Sequence, residues 1–260
     1  MIRYMKIAIP SHHRLEQLKS KTYSLLIKHG FSEDDIYIFV APECYEEYYG
    51  EFKNVILSKL NITDKRNHII EFFRSGEMIV EMDDDIEDIM NTKKDEKATP
   101  VEDIKELFEN SFEMLRGDIP QKWSGEAPKG LWGLNANCNT FFATGEDKHG
   151  VQLCSIINST LGYFNDKDIQ LTIPEKEDFE RVIKYYLKDT PILKRCGYGI
   201  KTKYWGNKGG LLSQYDFEER KKKQRLSADI LFETYPDLVY KRERKNGIVD
   251  IRFRRKKSKN

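Results

Sequence analysis

The chain has 260 residues, a third of them charged, yet its formal net charge is only +1 because 44 Lys and Arg stand against 43 Asp and Glu. That length suits one domain with an appendage, and the balance excludes a uniformly basic or acidic polyelectrolyte, so a charged partner has to be met by a local patch. Four widely spaced cysteines, Cys44, Cys138, Cys154 and Cys196, make no CxxC pair, and no apolar leader core or run of ~18 apolar residues occurs, which predicts reduced thiols in a soluble cytoplasmic protein without membrane contact.

In chain order, Tyr4 to Ile9 reads as a short strand stopped by Pro10, after which Ser11-His12-His13-Arg14 opens a helix carrying Leu15, Leu18, Leu25, Leu26 and Ile27. Gly30 closes it as a C-cap. The run Ile36-Tyr37-Ile38-Phe39-Val40 predicts a strand covered on both faces. A helix over Glu43–Tyr49, a strand at Val55–Leu57, a helix over Thr63–Ser75 and the strand Glu77–Met82 follow. Alternation of this kind implies βαβ units and a mostly parallel sheet, in which ligands sit outside the carboxyl ends of the strands. Val101–Leu115 reads as an amphipathic helix, the stretch through Trp123, Gly125, Gly130, Trp132 and Gly133 as irregular, and Asn139–Ala143 as a strand. Beyond Pro174 a helix runs from Glu175 to Lys188, its acidic first turn suited to the dipole; a charged helix over Asp216–Tyr235 and a last strand over Gly247–Phe253 complete the chain.

Asp83-Asp84-Asp85 follows directly on the apolar strand, and three adjacent carboxylates at a strand end concentrate charge that calls for a divalent cation. In extended backbone Asp83 and Asp85 can face one ion while Asp84 turns aside. Hard oxygen ligands with no His or Cys close in sequence favour Mn²⁺ or Mg²⁺ over zinc. Such triplets also occur on solvated loops.

Ala8-Ile9-Pro10-Ser11-His12-His13-Arg14, Ile38-Phe39-Val40, Asp64-Lys65-Arg66-Asn67, Glu81-Met82-Asp83-Asp84-Asp85-Ile86, Leu131-Trp132-Gly133 and Lys176-Glu177-Asp178-Phe179 occur in that order. The series resembles the GT-A nucleotide-sugar glycosyltransferases, and more narrowly the TET/JBP-associated branch that includes the base J glucosyltransferase and phage relatives. The resemblance spans roughly residues 7–210 and is carried by the order of the motifs. It implies a GT-A-like, Rossmann-like α/β fold over residues 1–215, a basic extension over residues 216–260, and transfer of a sugar from a nucleotide sugar, expected to be a UDP-sugar, to a hydroxymethylpyrimidine in DNA.

The donor set is then Pro10, Ser11, Arg14, Arg66, Asn67, Asp83, Asp84 and Lys208, with the metal on Asp83 and Asp85. Arg66 offers a planar fork to a diphosphate or base, but could equally pair with a neighbouring acid; Ser11 could bond the ribose or cap the first helix. His12 and His13 read as loop residues. Asp178 is the candidate general base, or a helix-terminal acid that serves only the dipole. Glu177, Trp132 and Gly133 are candidates for the acceptor side, although a core role for Trp132 is as natural. Lys208-Gly209-Gly210 could close over the diphosphate.

From Lys241 to Asn260 ten Lys or Arg face only Glu243 and Asp250. Arg252, Arg254, Arg255, Lys256 and Lys257, with Phe253 interleaved, suit a phosphate backbone, or form a solvated tail. Two rivals stand beside this reading: the same fold acting on a protein, lipid or glycan, and a non-catalytic DNA-binding module with structural aspartates.

Overall fold

The computed structural model describes residues 5–117, 128–143, 145–202, 217–244 and 247–254. Strands β1 (Lys6–Ser11), β2 (Ile36–Val40), β3 (Val55–Leu57) and β4 (Met78–Met82) alternate with helices. Leu15–Leu18 (α1) and Ser24–Lys28 (α2) are joined through a π-helical turn at Lys19–Tyr23, and α3 (Pro42–Tyr48) and α4 (Ile62–Phe72) follow. After β5 (Asp88–Asn91) and β6 (Thr99–Pro100) come α5 (Ile104–Gly117), β7 (Gly130–Asn135), β8 (Thr160–Phe164), α6 (Glu177–Leu187) and β9 (Ile192–Lys201). The chain continues through α7 (Phe217–Thr234) to a hairpin, β10 (Val239–Glu243) and β11 (Val249–Phe253).

One nine-stranded sheet has the order β3-β2-β1-β4-β8-β7-β9-β5-β6. Its first four strands are parallel, as the βαβ alternation predicts, while β4–β8, β8–β7, β9–β5 and β5–β6 pair antiparallel. Strand alternation divides the core between the two faces. Ile7, Ile9, Ile38 and Val80 point towards Leu18, Leu26 and Phe108, whereas Ala8, Phe39 and Ile79 point towards Ile69, Ile70 and Val182. Each such side chain, removed from water, contributes roughly 1.5–3 kcal/mol before entropy is counted.

Several elements differ from their sequence reading. Pro10 does not stop β1: the strand continues to Ser11, paired only with β2, because the β4 ladder has already ended at Ala8 and one hydrogen-bonding edge is no longer needed. Trp132 and Gly133 lie in a strand, and Thr140–Phe142 is a 3₁₀ turn where a strand was expected. Strands β5, β6, β8, β9 and β10 had no predicted counterpart. In the carboxyl-terminal part, Ala228 and Leu231 of α7 and Val239, Val249 and Ile251 of the hairpin share an apolar cluster with Ile183 of α6 and with Ile173.

Candidate functional site

Two parallel strand ends converge on one cleft. Ser11 ends β1 with Arg14 just beyond it, and the acidic triplet follows β4. The loop that holds the triplet is fixed from the π-helical turn, where buried Thr22 donates its hydroxyl to the Asp83 carbonyl (2.8 Å) and accepts from the Ile86 amide (2.9 Å). A π-turn shifts the side-chain register of a helix, and here it turns Thr22 onto that loop. The Asp83 amide donates to the Ser159 carbonyl at 2.9 Å, and the Thr202 hydroxyl meets both the carbonyl (3.0 Å) and the carboxylate (3.2 Å) of Asp85.

The three carboxylates have separate surroundings. Asp84 is turned into the wall, accepting from Ser11 Oγ at 2.7 Å and from Arg14 at 3.0 Å. Since the only Ser11 proton goes to Asp84, the Tyr48 hydroxyl, 2.8 Å away, donates to Ser11 while it accepts from the Arg14 amide at 2.9 Å. Ser11 is therefore a strut of the cleft and caps no helix; α1 starts at Arg14 without a side-chain cap. Asp85 lies 3.3 Å from Arg14, and Asp83 lies 3.3 Å from Arg66 with its side chain 38% exposed. Loss of hydration on its inner side, against the pull of Arg66 and reinforced by Asp85 and Asp84, pushes Asp83 up to about 7, while its outer edge stays open to the cleft.

Beneath the triplet, buried Glu81 joins Arg66 (2.5 Å), Arg181 (2.7 Å) and the Tyr163 hydroxyl (2.6 Å). Arg66 also approaches Glu177 at 3.4 Å, so its acid partners come from β4, the triplet and α6, and Asp64 on its own helix is not among them. Asp64 instead stays at the helix start, bonded to Asn61. Asn67 is displaced from the expected donor role: its amide donates to the Leu171 carbonyl at 2.8 Å, its oxygen accepts from the Leu171 amide at 2.8 Å, and it does not line the cleft.

The opposite wall is the start of α6. Lys176 takes a left-handed conformation (φ 61°) ahead of the first turn, and Glu177 and Asp178 line the cleft with it. A non-glycine residue held there costs of order 1–3 kcal/mol, a strain that tends to persist at functional sites. Burial first, and then the Glu177 carboxylate, raise the Asp178 carboxyl above its ordinary range. The cavity measures about 380 Å³ and is also lined by Lys65, Asn158, Ser159 and Glu175. Asn158 Oδ1 and Ser159 Oγ, from two residues of this wall, are buried without a hydrogen-bond partner among the described residues. Lys65 donates to the Ser11 carbonyl at 2.8 Å, and burial lowers its ammonium to about 8.

Pro10, Ser11, Arg14, Arg66, Asp83, Asp84, Asp85, Glu177 and Asp178 thus meet around one cavity. Trp132 and Gly133 do not reach it. Trp132 is fully buried against Phe108 and Phe112 at ring distances of 5.2 and 5.6 Å, and a Cβ on Gly133 would stand 2.3 Å from Ile156, so both serve packing and the expected aromatic acceptor wall is absent from these positions. Arg252 and Arg254 line a second groove beyond α6. Lys208, Arg255, Lys256 and Lys257 lie outside the described residues. Glu81, Lys65, Asn158, Ser159, Thr22 and Arg181 escaped the sequence reading, and only Glu81 left a signal, as the lone charge in the middle of an apolar strand.

The donor chemistry fits a hard cation. Asp83 and Asp85 supply two carboxylates, a number suited to Mg²⁺ or Mn²⁺ when substrate phosphates and water complete the shell. Among the described residues the one group of three or more His, Cys, Asp or Glu ligand atoms that converges, within 4.8 Å, is His12, His13 and Cys44, beside this cleft at the ends of β1 and β2. Nitrogen and sulfur ligands are thus close in space although not in sequence, and His12 lines the same cleft as the aspartates.

No family model and no curated protein matches the sequence. Among solved structures, the chain is similar to S. aureus TarS residues 1–349 in complex with UDP-GlcNAc, with a TM-score of 0.52 and 14% identity over 88% of this chain and 66% of that one. A structure of S. aureus TarS not limited to those residues gives a TM-score of 0.48 and 13% identity, with 39% of it covered. The chain therefore spans a little under two thirds of the shorter TarS chain, and the likeness is one of fold. That fold is GT-A-like: a mixed α/β sheet flanked by helices, with the cleft at its strand ends.

Proposed function

We propose that the chain is a metal-dependent glycosyltransferase that moves a sugar from a UDP-sugar to the hydroxyl of a hydroxymethylpyrimidine in DNA. The observation that carries this reading is the meeting, in one cleft, of Asp83, Asp84 and Asp85 with Arg14 and Arg66 on one side and Asp178 on the other. S. aureus TarS, which shares the fold, is described in complex with UDP-GlcNAc, and this supports a uridine diphosphate donor.

In this reading Asp83 and Asp85 would hold Mn²⁺ or Mg²⁺, which when bound would supply positive charge to offset that of the departing diphosphate. Arg14 and Arg66 keep the carboxylates oriented, and Lys65 adds a buried positive charge in the same wall. Asp178 takes the proton of the acceptor hydroxyl as its oxygen bonds to the anomeric carbon and the bond from that carbon to the diphosphate oxygen breaks. A carboxyl raised towards neutral pH suits that task. Glu177, tied to Arg66 and to Asn158 (3.1 Å), orients the turn that carries Asp178.

The acceptor assignment is tested by incubating the protein with labelled UDP-sugars, Mn²⁺ and either hydroxymethylated or plain DNA. Label confined to the modified DNA supports it; label appearing only in a glycan, lipid or protein acceptor moves the activity to another substrate. Strand binding without any donor binding would leave a non-catalytic module.

A further inference from the structure

Behind the α6 start lies a second groove of about 920 Å³, which shares Ile157, Lys176 and Phe179 with the cleft. Its walls carry Lys148, Lys176, Lys194, Arg244, Arg252 and Arg254 against one carboxylate, Asp250, which Arg244 holds at 2.6 Å. Lys148 and Lys194 sit directly opposite each other, joined by reciprocal backbone hydrogen bonds of 3.0 and 2.7 Å. Like charges across such a pair are destabilising, the more so when partly withdrawn from water. Among the described residues neither these two lysines nor Lys176 is in an ion pair. Burial lowers the Lys176 and Lys194 ammoniums, in Lys176 against the opposing pull of Asp178, Asp250 and Glu175. Phe179 and Phe253, with rings 5.1 Å apart, and Tyr186 add aromatic faces to the same walls.

We propose that this groove is the track of one nucleic-acid strand, with the Lys148–Lys194 pair on a backbone phosphate and Lys176 on the phosphate beside the nucleotide that enters the cleft. The argument for nucleic acid over another polyanion is the combination of repeated positive charge with ring surfaces on which bases stack. The argument for a single strand is that a base hydroxyl reaches Asp178 only from an unstacked nucleotide. The destination of that nucleotide rests on the glycosyltransferase reading above; the groove as a strand-binding site does not.

Fluorescence anisotropy with a labelled single-stranded oligonucleotide, read over a salt series, tests it. Lys148→Glu with Lys194→Glu is expected to weaken binding at least about tenfold, and Lys194→Ala to reduce the salt slope by about one. Exposed Arg252→Glu provides a second variant that does not disturb the sheet, and is expected to weaken binding in the same direction. UDP binding in the presence of Mn²⁺, measured calorimetrically on the same variants, is expected to stay as in the parent. Unchanged oligonucleotide affinity and slope in the charge reversals overturn the proposal. So does a duplex of the same sequence binding more tightly than the single strand, or an abasic strand binding as tightly as one with bases. A parent protein that binds the strand but not UDP with Mn²⁺ keeps the groove and removes the glycosyltransferase reading; one that binds UDP but not the strand does the reverse.

Discussion

Asp83 couples the protein's proton balance to the proposed metal site. Its carboxyl is raised from 3.8 to about 7 in the folded chain, so in the absence of metal it holds a proton that the unfolded chain releases near 3.8. The associated stability is complete below that lower value and is lost as pH rises through about 7. With EDTA present, the melting temperature of the parent should therefore fall relative to Asp83→Asn between those limits, and added Mn²⁺ should raise it more at pH 7.5 than at pH 5. Parallel curves for parent and variant would contradict this. Across the cleft, Asp178→Asn preserves shape but removes the proton acceptor. It should lower kcat by roughly 10²–10⁴ with little change in donor affinity, a split that steady-state kinetics would show. That the acidic triplet lies at a strand end and Asp178 at a helix start was legible because such charge is visible in one dimension; the structure adds that both line one cleft. Asn67 misled for the opposite reason, since its partner Leu171 lies 104 residues away in sequence.

At the scale of elements, the π-helical turn between α1 and α2 decides where the acidic loop sits. Thr22→Val keeps the side-chain shape but removes both hydrogen bonds to the loop, at a cost of about 1–3 kcal/mol, and should weaken Mn²⁺ binding more than Ser24→Ala, which lies on an exposed part of the same helix. Equal effects of the two changes on metal titrations would remove Thr22 from this role. A π-turn has no sequence signature, which is why the first helix was legible as an apolar pattern and its break was not. Strand β8 was missed for a related reason. Gly162 reads as a breaker, yet a Cβ there would stand 2.3 Å from Trp132, so the glycine makes room for the indole. Gly162→Ala should accordingly destabilise the fold by about 1–3 kcal/mol in denaturant titrations, through overpacking. A neutral result would mean that Trp132 can move aside.

Across the whole molecule, Glu81 is the pin. It draws Arg66 from α4, Arg181 from α6 and Tyr163 from β8 onto the centre of the sheet, so that the two walls of the cleft are built on one buried charge cluster. Removing Arg181 takes one charged hydrogen bond from Glu81 while Arg66 and Tyr163 remain on it, and Arg181→Met should cost about 1.5–3 kcal/mol, measurable as a shift in unfolding midpoint without change in the residues that line the cleft. The parallel half of the sheet could be read from alternating strands and helices because each unit is local. The other half is mixed: β7 and β9 pair parallel across an excursion through β8 and α6, and its pairings lie far apart in sequence. The central claim is that the acidic cleft binds a cation together with a nucleoside diphosphate, and calorimetric titration of UDP with and without Mn²⁺, on the parent and on Asp85→Ala, tests it most directly. Mn²⁺-dependent binding in the parent that is lost in a folded Asp85→Ala is the predicted result; UDP binding that ignores Mn²⁺, or no binding by the folded parent, contradicts it.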